Sequence, residues 1–411
     1  MVDLSDIGRA AKAVTMQMGA LGTKKKDDIL LAMADALQEN AGRIVEANKI
    51  DMDNAKDKPE SIRDRLFLDK ARIDGMAGGL RKVAGLPDPI GEILGGWERP
   101  NGLIITKKRV PLGVVAIIYE ARPNVTADAI GLCVKSGNCT ILRGGSDAIN
   151  SAGAIADVMT EAGEKAGLPK GAVSLIRDTS RESSTALMEL TEYVDVLIPR
   201  GGAGLIRSVV QNAKVPVIET GTGNCHIYVD ADADIEMARD ITVNAKTSRP
   251  GVCNAAESLL IHRDIADRFL PVIVKALSEK NVEMRGCEIC AKYDGVLNAT
   301  EEDYGKEFLD YIISMKVVDS VEEAVEHINK YGTGHSECIV TDSVKSAAYF
   351  KEMVDAAAVY VNASTRFTDG EEFGFGAEIG ISTQKLHARG PMGLAELTTC
   401  KYLIDGNGQI R

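Results

Sequence analysis

The chain has 411 residues, of which 45% are hydrophobic and 26% charged, a composition typical of a globular protein with room for two or three domains. Its net charge of -12 argues against nonspecific binding to nucleic acid or to an anionic membrane surface, so an anionic ligand needs a local group of arginines, lysines and backbone amides. No apolar run approaches the length of a transmembrane helix and no secretory signal is visible at the start, so we predict a cytoplasmic location.

The first 95 residues show the spacing of hydrophobic residues that is typical of helices, and Thr23 is a candidate N-cap for one of them. The proline-rich segment Gly85–Gly91 ends this helical region. Residues 96–111 then predict a hairpin with its turn at Pro100–Gly102. The unpaired edges of such a hairpin favour pairing with another copy of the chain.

From Gly113 onward, short apolar strands alternate with helical stretches. The predicted strands are Val114–Tyr119, Thr140–Arg143, Ala172–Ile176, Val194–Pro199 and Val215–Glu219. Continuous apolar strands separated by helices are typical of a parallel sheet covered on both faces. We therefore predict a doubly wound α/β domain that binds a cofactor at the carboxyl ends of its strands.

Glycine-rich loops that bind phosphate in common nucleotide folds are missing, since the sequence has neither G-x-G-x-x-G nor G-x-x-x-x-G-K-[ST]. Glycines instead follow predicted strands at Gly144–Gly145, Gly201–Gly202 and Gly221–Gly223. Turn formation alone explains any one of these pairs. Their shared position at carboxyl ends of strands favours a ligand site there.

A turn around Cys253 precedes a second α/β segment, in which strands and helices alternate again as far as about residue 361. Pro250 and Gly251 end any helix just before the cysteine, and a strand begins near Ser258. Most free cysteines are small buried hydrophobic residues, and this is one interpretation of Cys253. The cofactor-type domain upstream supports the other, in which the thiolate is a nucleophile that faces a bound nicotinamide.

The other cysteines predict no metal site. Cys287 and Cys290 form a C-x-x-C pair, but a structural zinc ion needs four ligands and no second pair has a suitable spacing. The five histidines are scattered along the chain. In a cytoplasmic protein all eight cysteines are expected to stay reduced, and we interpret the pair as incidental.

Several segments together resemble the aldehyde dehydrogenase superfamily, and within it most closely the γ-glutamyl phosphate reductase family. The segments are Val110–Thr126, Ser136–Ser146, the Cys253 turn, His327–Glu337, and Val361–Gly370 with Ser382–Gly393. The resemblance implies an α/β fold in three parts. These are an NADP(H)-binding domain (residues 1–95 and 112–243), a second α/β catalytic domain (244–390) and a small β oligomerisation arm (96–111 and 391–411), which favours a homodimer or homotetramer.

The resemblance also implies a reaction, the NADPH-dependent reduction of L-glutamyl 5-phosphate to L-glutamate 5-semialdehyde in proline biosynthesis. Cys253 would expel phosphate and form a thioester, which hydride then reduces. The oxyanion of this step needs a hydrogen-bond donor besides the Cys253 amide. An ungapped match places Arg122 where the superfamily has its asparagine, and Asn124 lies two residues further on, so both are candidates.

Further residues follow from the same resemblance. Arg143 stands where relatives usually have a lysine beside the adenine ribose, and Ser146 stands where NAD-preferring relatives have a glutamate, which favours NADP(H). Glu219 matches the glutamate that activates water in hydrolytic relatives. The expected cofactor-binding residues are Arg143, Ser146, Gly201, Gly202, Glu219 and Glu307. The expected substrate-binding residues are Arg122, His335, Ser336 and Arg366, with Arg389 as a further cation.

Several alternatives stay open at this point. One is a hydrolytic or CoA-acylating aldehyde dehydrogenase, and another is a catalytically silent binding protein of the same fold. A third is the reductase half of a fused kinase–reductase, but the chain has no room for a kinase domain. Glutamate 5-kinase would therefore be a separate chain, and we consider a transient contact with it.

Overall fold

The computed structural model describes residues 2–411, with every side chain among them except that of Ser61. The chain forms two compact units. The first comprises Met1–Thr220, Gly374–Gly380 and Met392–Arg411, and the second comprises Gly221–Phe373 and Ile381–Pro391. Compactness carries no assignment of role, so the division into cofactor domain, catalytic domain and arm stays a prediction.

The first unit begins with five helices. Its elements up to Thr220 are α1 (Ser5–Gly19), α2 (Thr23–Glu39), α3 (Ala41–Asn54), α4 (Glu60–Leu66), α5 (Lys70–Gly85), β1 (Ile93–Glu98), β2 (Ile104–Pro111), β3 (Val114–Tyr119), α6 (Asn124–Lys135), β4 (Cys139–Gly144), α7 (Ile149–Lys165), β5 (Val173–Leu175), α8 (Arg181–Met188), β6 (Val196–Arg200) and α9 (Ala203–Asn212).

The N-cap predicted at Thr23 is wrong by one residue. Gly22 occupies the cap position of α2, and Thr23 is already helical. Its hydroxyl donates a hydrogen bond to Asp88 at 3.0 Å, so a partner distant in sequence takes the group that a cap would use.

A parallel four-stranded sheet forms the centre of the first unit, in the order β5-β4-β3-β6. Every residue of β3 is buried, which explains its continuous apolar sequence. The fifth predicted strand, Val215–Glu219, forms only a bridge between Val217 and Leu197. Pro216 lacks the N–H group that a longer ladder requires, and its carbonyl accepts from Leu197 instead.

The second unit is built on a seven-stranded parallel sheet in the order β10-β9-β11-β8-β7-β12-β13. Its elements are β7 (Cys225–Val229), α10 (Ile235–Thr247), β8 (Ala256–His262), α11 (Arg263–Ser278), β9 (Glu283–Gly286), β10 (Val296–Asn298), β11 (Ile312–Val318), α12 (Val321–Tyr331), β12 (Ser336–Val340), α13 (Val344–Met353), β13 (Ala358–Val361), β14 (Ile381–Ser382) and β15 (Gly390–Pro391). The mixed α/β fold with parallel sheets confirms the predicted fold class.

A small antiparallel sheet joins the predicted hairpin to the end of the chain. β1 pairs with β2, and β2 pairs on its other side with β16 (Thr398–Asp405). Large apolar side chains of this sheet are exposed, among them Ile93, Trp97, Ile104, Tyr402 and Ile404. An exposed apolar sheet with two unpaired edges is suited to contact with another chain.

Candidate active site

Cys253 lies in the turn that joins α10 to β8, where the proline and glycine before it predict a break. Its side chain is half-buried. Five other cysteines are buried, namely Cys133, Cys139, Cys225, Cys290 and Cys338. The buried cysteines serve as small core residues. Cys253 differs from them because it lies in a loop and is partly exposed, as a nucleophilic cysteine must be.

Gly223 packs directly against the backbone of this cysteine. A Cβ atom at Gly223 would lie 1.5 Å from the Cys253 carbonyl oxygen, a distance that no real side chain allows. The Cys225 thiol lies 3.2 Å from the same carbonyl and donates a hydrogen bond to it. The loop before β7 therefore supports the Cys253 peptide, and it requires glycine for space.

Glu307 holds this supporting loop in place. Its carboxylate accepts a hydrogen bond from the Gly223 amide at 2.7 Å. Burial raises the pKa of Glu307, and the Gly223 amide opposes that change. The next residue, Asn224, donates from its side-chain amide to the carbonyls of Tyr304 and Tyr331. The observed contact of Glu307 is thus with the cysteine's support, and its cofactor contact stays a prediction.

A buried hydrogen-bonded chain continues from Cys225 away from the cysteine loop. The His335 Nδ1 atom lies 3.7 Å from the Cys225 sulfur and 2.8 Å from the Ser336 hydroxyl. Ser336 then contacts Thr368, and Thr368 contacts Tyr360, both at 2.7 Å between oxygens. Burial lowers the pKa of His335 to about 4, so the imidazole is neutral near pH 7.

His335 and Ser336 are therefore completely buried in this network. The two residues are adjacent in sequence, and His335 is linked to the Cys253 carbonyl through the Cys225 thiol. Such a position suits a role in holding the cysteine loop. Direct contact of either side chain with substrate stays a prediction that their burial does not favour.

Arg366 ties together the two flanks of the Cys253 turn. Its Nε donates to the Ser248 hydroxyl at 3.0 Å, and its Nη1 donates to the Asn254 side-chain oxygen. Asn254 in turn donates to the carbonyls of Arg366 and Thr368. This bonding fixes the 3₁₀ turn Thr365–Phe367 against the residues on either side of the cysteine.

A second cation lies near the same cysteine. Burial lowers the pKa of Arg366, and the charge of Arg249 lowers it further, while Asp369 and the Cys253 thiolate oppose this change. Arg249 was not predicted as a site residue, although it lies four residues before Cys253. Cations beside a cysteine favour its thiolate and also attract an anionic substrate.

An ion pair whose two side chains are both buried joins the helix before the Cys253 turn to the strand after it. Lys246 at the end of α10 donates to Glu257 in β8 at 2.5 Å, and neither side chain is exposed. Burial raises the pKa of Glu257 to about 7 and lowers that of Lys246. Because an unpaired buried charge is costly, loss of either partner disturbs both ends of the cysteine turn.

The first unit carries the loop predicted to supply an oxyanion donor. Ala121, in this loop between β3 and α6, has φ +28, an uncommon value for a residue with a side chain. Arg122 is half-buried, and Asn124 is exposed with its side-chain amide donating to Asp128 at 3.2 Å. Backbone strain of this kind is concentrated at functional loops. The choice between Arg122 and Asn124 stays open.

Gly201 and Gly202 precede α9, with Gly202 in the N-cap position. The Gly202 amide donates to a carboxylate oxygen of Glu120 at 2.8 Å. A Cβ atom at Gly201 would lie 2.5 Å from that same oxygen. The turn therefore already binds an anion at a helix N-terminus, which fits the phosphate contact predicted for it.

Arg143 ends β4 and contacts the loop that follows β5. Its Nη2 donates to the carbonyls of Thr179 at 2.6 Å and Ser180 at 2.9 Å. Its buried Nε has no hydrogen-bond partner among the described residues. Ser146 is exposed at the start of a short 3₁₀ helix. The unpartnered N–H of Arg143 and the exposed hydroxyl of Ser146 are the kinds of donor that a phosphate oxygen accepts from.

The two remaining predicted residues are Arg389 and Glu219. Arg389 is exposed and pairs with Asp355 at 2.7 Å, so its observed partner is a surface carboxylate. Glu219 is half-buried, just before the point where the first unit ends. Within residues 2–411, no group of three or more histidine, cysteine or acidic side chains is arranged to hold a metal ion. Over the same residues, no helix combines the length and the apolar character needed to cross a membrane.

The sequence matches a known family over most of its length. The profile described as "Aldehyde dehydrogenase family" matches residues 2–288 and 305–402. A protein from Clostridium beijerinckii named "Gamma-glutamyl phosphate reductase" is 61% identical over 414 aligned residues, which cover the whole of both chains. A protein of the same name from Heliobacterium modesticaldum is 60% identical, covering 100% of this chain and 99% of its own.

Solved structures give the same result. The crystal structure of a gamma-glutamyl phosphate reductase from Thermotoga maritima superposes with a TM-score of 0.97 at 49% identity, with both chains fully covered. An acetylating aldehyde dehydrogenase from Geobacillus thermoglucosidasius superposes with a TM-score of 0.70 at 19% identity, covering 99% of this chain and 97% of its own. At that identity the second likeness concerns the fold alone.

Proposed function

The chain belongs to the aldehyde dehydrogenase family and, within it, to the γ-glutamyl phosphate reductases, and from this we propose that it reduces L-glutamyl 5-phosphate to L-glutamate 5-semialdehyde and phosphate with NADPH. It is an oxidoreductase of the aldehyde dehydrogenase type. The observation that carries the proposal is identity of about 60% over the whole chain to proteins of that name. The alignments cover this chain and at least 99% of each relative.

Cys253 performs the covalent step in this proposal. Its thiolate attacks the acyl carbonyl carbon, the C–O bond to phosphate breaks, and a thioester remains on the sulfur. When bound, the reduced nicotinamide supplies the hydride that reduces this thioester. The resulting tetrahedral group on Cys253 collapses to the aldehyde and returns the thiolate. The turn that carries Cys253 supports this role, because the residue is half-buried and its carbonyl accepts a hydrogen bond from the Cys225 thiol.

Arg366 and Arg249 supply positive charge to this step. Arg366 lies within electrostatic range of both Cys253 and Arg249, and it is held in position through Ser248 and Asn254. We assign to them stabilisation of the thiolate and attraction of the acyl phosphate dianion. His335 and Ser336 hold the cysteine peptide through Cys225. An oxyanion donor from Arg122 or Asn124 completes the proposal.

The first unit carries residues that fit the cofactor. The Gly202 amide binds the Glu120 carboxylate at the start of α9, and an amide at a helix N-terminus is the kind of donor that a dinucleotide phosphate needs. Arg143 and Ser146 together offer a cation and a hydroxyl where a carboxylate would repel a 2′-phosphate. The fit supports NADPH over NADH.

The three-stranded sheet of β1, β2 and β16 supports a homo-oligomer. Its exposed apolar residues and its unpaired edges provide a surface that another copy can cover. We propose that this sheet is the oligomerisation arm and that the assembly is a dimer or tetramer.

Substitution of Cys253 tests the proposal. In the Cys253→Ser variant, reduction of L-glutamyl 5-phosphate, generated in situ by a kinase, should fall by about a thousandfold or more, because the nucleophile is lost. NADPH binding and the far-UV circular dichroism spectrum should be unchanged. Cys400→Ser, at another half-buried cysteine, serves as the matched control and should keep full activity. Substantial turnover by Cys253→Ala would rule out the thioester.

A further inference from the structure

A pair of cysteines that the proposed reaction does not use lies at the edge of the large parallel sheet. Cys287 directly follows β9, and Cys290 begins the 3₁₀ helix Cys290–Lys292. Their sulfur atoms are 3.7 Å apart. Cys253 precedes β8, whereas Cys287 follows β9, and both strands run parallel to β11. The pair and the catalytic cysteine therefore lie at opposite ends of the strands.

The two thiols are placed unequally. Cys287 is half-buried, and Cys290 is completely buried within the core of the second unit. The amide of Val317 donates a hydrogen bond to the Cys287 sulfur at 3.4 Å. Access from solvent and a donor to the sulfur favour Cys287 as the reacting thiolate.

The electrostatic surroundings of the two sulfur atoms also favour Cys287 as the thiolate. The hydrogen bond with Cys290 lowers the pKa of Cys287, and the same bond together with burial raises the pKa of Cys290. Both effects favour Cys287 as the thiol that ionises first. Asp319 raises the pKa of Arg263, and the charge of Cys287 adds to this effect, so a guanidinium lies within electrostatic range of the thiolate.

The surrounding backbone holds the two residues at a spacing suited to a disulfide. The Cys287 amide donates to the Met315 carbonyl at 2.9 Å, and the Ala291 amide donates to the Cys287 carbonyl at 2.8 Å. A bond requires the sulfur atoms to approach from 3.7 Å to about 2.05 Å, a movement that side-chain rotation can supply. Two sulfur ligands do not make a zinc site, which needs four.

We propose that Cys287 and Cys290 form a thiol–disulfide exchange site that low-molecular-weight disulfides oxidise to an internal disulfide. The Cys287 thiolate attacks one sulfur of the small disulfide, whose S–S bond breaks and releases one thiolate. Cys290 then loses its proton and attacks the Cys287 sulfur, which releases the second small thiolate. Two protein thiols are oxidised, one small disulfide is reduced to two thiols, and the sum of atoms and electrons is unchanged.

Mass spectrometry of the full-length protein tests this proposal. The reduced protein is treated with glutathione disulfide, quenched in acid and alkylated, and the tryptic peptide Gly286–Lys292, which contains both cysteines, is measured. We expect this peptide to become lighter by two hydrogens without any added label. Its thiols should be lost at least about tenfold faster in the folded protein than in the urea-unfolded protein, where neither sulfur has a folded environment.

Two variants define the order of the steps. Cys290→Ser should stop the reaction at a glutathione adduct on Cys287, and Cys287→Ser should abolish rapid oxidation of the peptide. Cys253→Ser should leave the peptide's oxidation unchanged, so the outcome does not depend on the proposed reaction. Oxidation of wild-type Gly286–Lys292 no faster in the folded than in the urea-unfolded protein, or a stable glutathione adduct without closure, would overturn the proposal.

Discussion

Gly223 has no side chain, and this allows its backbone to pack directly against the Cys253 peptide. A methyl group there would overlap the Cys253 carbonyl, so Gly223→Ala should displace the nucleophile while leaving the two sheets intact. We expect kcat to fall by about a hundredfold, the typical cost of a shift of about 1 Å in a reacting group. Steady-state kinetics measure this loss.

Gly42→Ala is the matched control for that variant. Gly42 lies in α3, and a Cβ atom there would meet no other atom within 4 Å. Its activity should equal that of the unchanged protein. If Gly223→Ala kept full kcat as well, the close packing beneath Cys253 would have no part in positioning it.

Arg143 provides a test of cofactor preference. Arg143→Ala should weaken NADPH binding more than NADH binding, by about 1–3 kcal/mol for a lost charge-assisted hydrogen bond. The Arg143 guanidinium also donates to the carbonyls of Thr179 and Ser180. A decrease in affinity that is equal for both cofactors would therefore reflect displacement of that loop. Fluorescence titration gives both dissociation constants.

Arg177→Ala is the control, since Arg177 also follows a strand of the same sheet but pairs with Asp157. It should change neither dissociation constant. Equal losses of NADPH and NADH binding in Arg143→Ala would show that Arg143 does not contact the 2′-phosphate.

Local signals were sufficient to predict some site residues. Pro250 and Gly251 predict the turn that carries Cys253, and Arg366 was named through a resemblance of its loop to known relatives. The support beneath the cysteine was not predictable in the same way. Asn254 bonds to residues more than 100 positions away, and Gly223 is explained by van der Waals contact with a distant peptide. Neither contact has a periodic pattern in the sequence.

Helix α12 contains a buried histidine with an unusual environment. His327 lies against the rings of His226, Tyr304 and Tyr331, and both of its nitrogens lack hydrogen-bond partners among the described residues. Burial lowers its pKa to about 3, and nearby positive charges act in the same direction. Folding therefore favours the neutral ring.

The pH dependence follows from that lowered pKa. In the unfolded chain the ring takes up a proton near its usual pKa of about 6.5, whereas in the folded protein it does so only near 3. The stability contributed by the neutral ring is complete above pH 6.5 and is lost as the pH falls toward 3. The loss can reach about 1.4 kcal/mol per pH unit for one group.

His327→Phe should remove both effects. Because two buried polar atoms disappear, the free energy of unfolding at pH 7 should rise by about 1–3 kcal/mol. Its decrease between pH 6.5 and 4 should also become shallower. Urea unfolding at several pH values measures both quantities, with the exposed His387→Asn as control. An unchanged acid slope would contradict the assignment.

The elements themselves were largely predictable, because apolar runs and helical periodicity reflect burial directly. The start of α12 is one example. Ser320 and Glu323 have the spacing of a capping box, and the Ser320 side chain accepts from the Glu323 amide. Val215–Glu219 was overpredicted as a strand because its apolar pattern does not take account of Pro216, which lacks the N–H group that a longer ladder requires. The N-cap prediction at Thr23 was wrong because the Thr23 hydroxyl bonds to Asp88, which is distant in sequence.

For the whole molecule, alternation of strand and helix was enough to predict parallel α/β architecture. The order of strands in each sheet was not predictable from that pattern, since β8 lies between β11 and β7 through long-range pairing. The same limit applies to function. Residue chemistry alone allowed a hydrolytic, a CoA-acylating and a phosphate-releasing enzyme. The resemblance of several segments to the γ-glutamyl phosphate reductases favoured the last, and the full-length relatives confirm that family.

Phosphate dependence of the reverse reaction tests the central proposal most directly. Purified protein is given glutamate 5-semialdehyde and NADP⁺ in phosphate-free buffer, and NADPH formation is followed by absorbance. We predict steady turnover only after inorganic phosphate is added, with arsenate able to replace it because the acyl arsenate hydrolyses. Steady turnover without phosphate, unaffected by its addition, would contradict the account and would mean that Glu219 activates water in a hydrolytic aldehyde dehydrogenase.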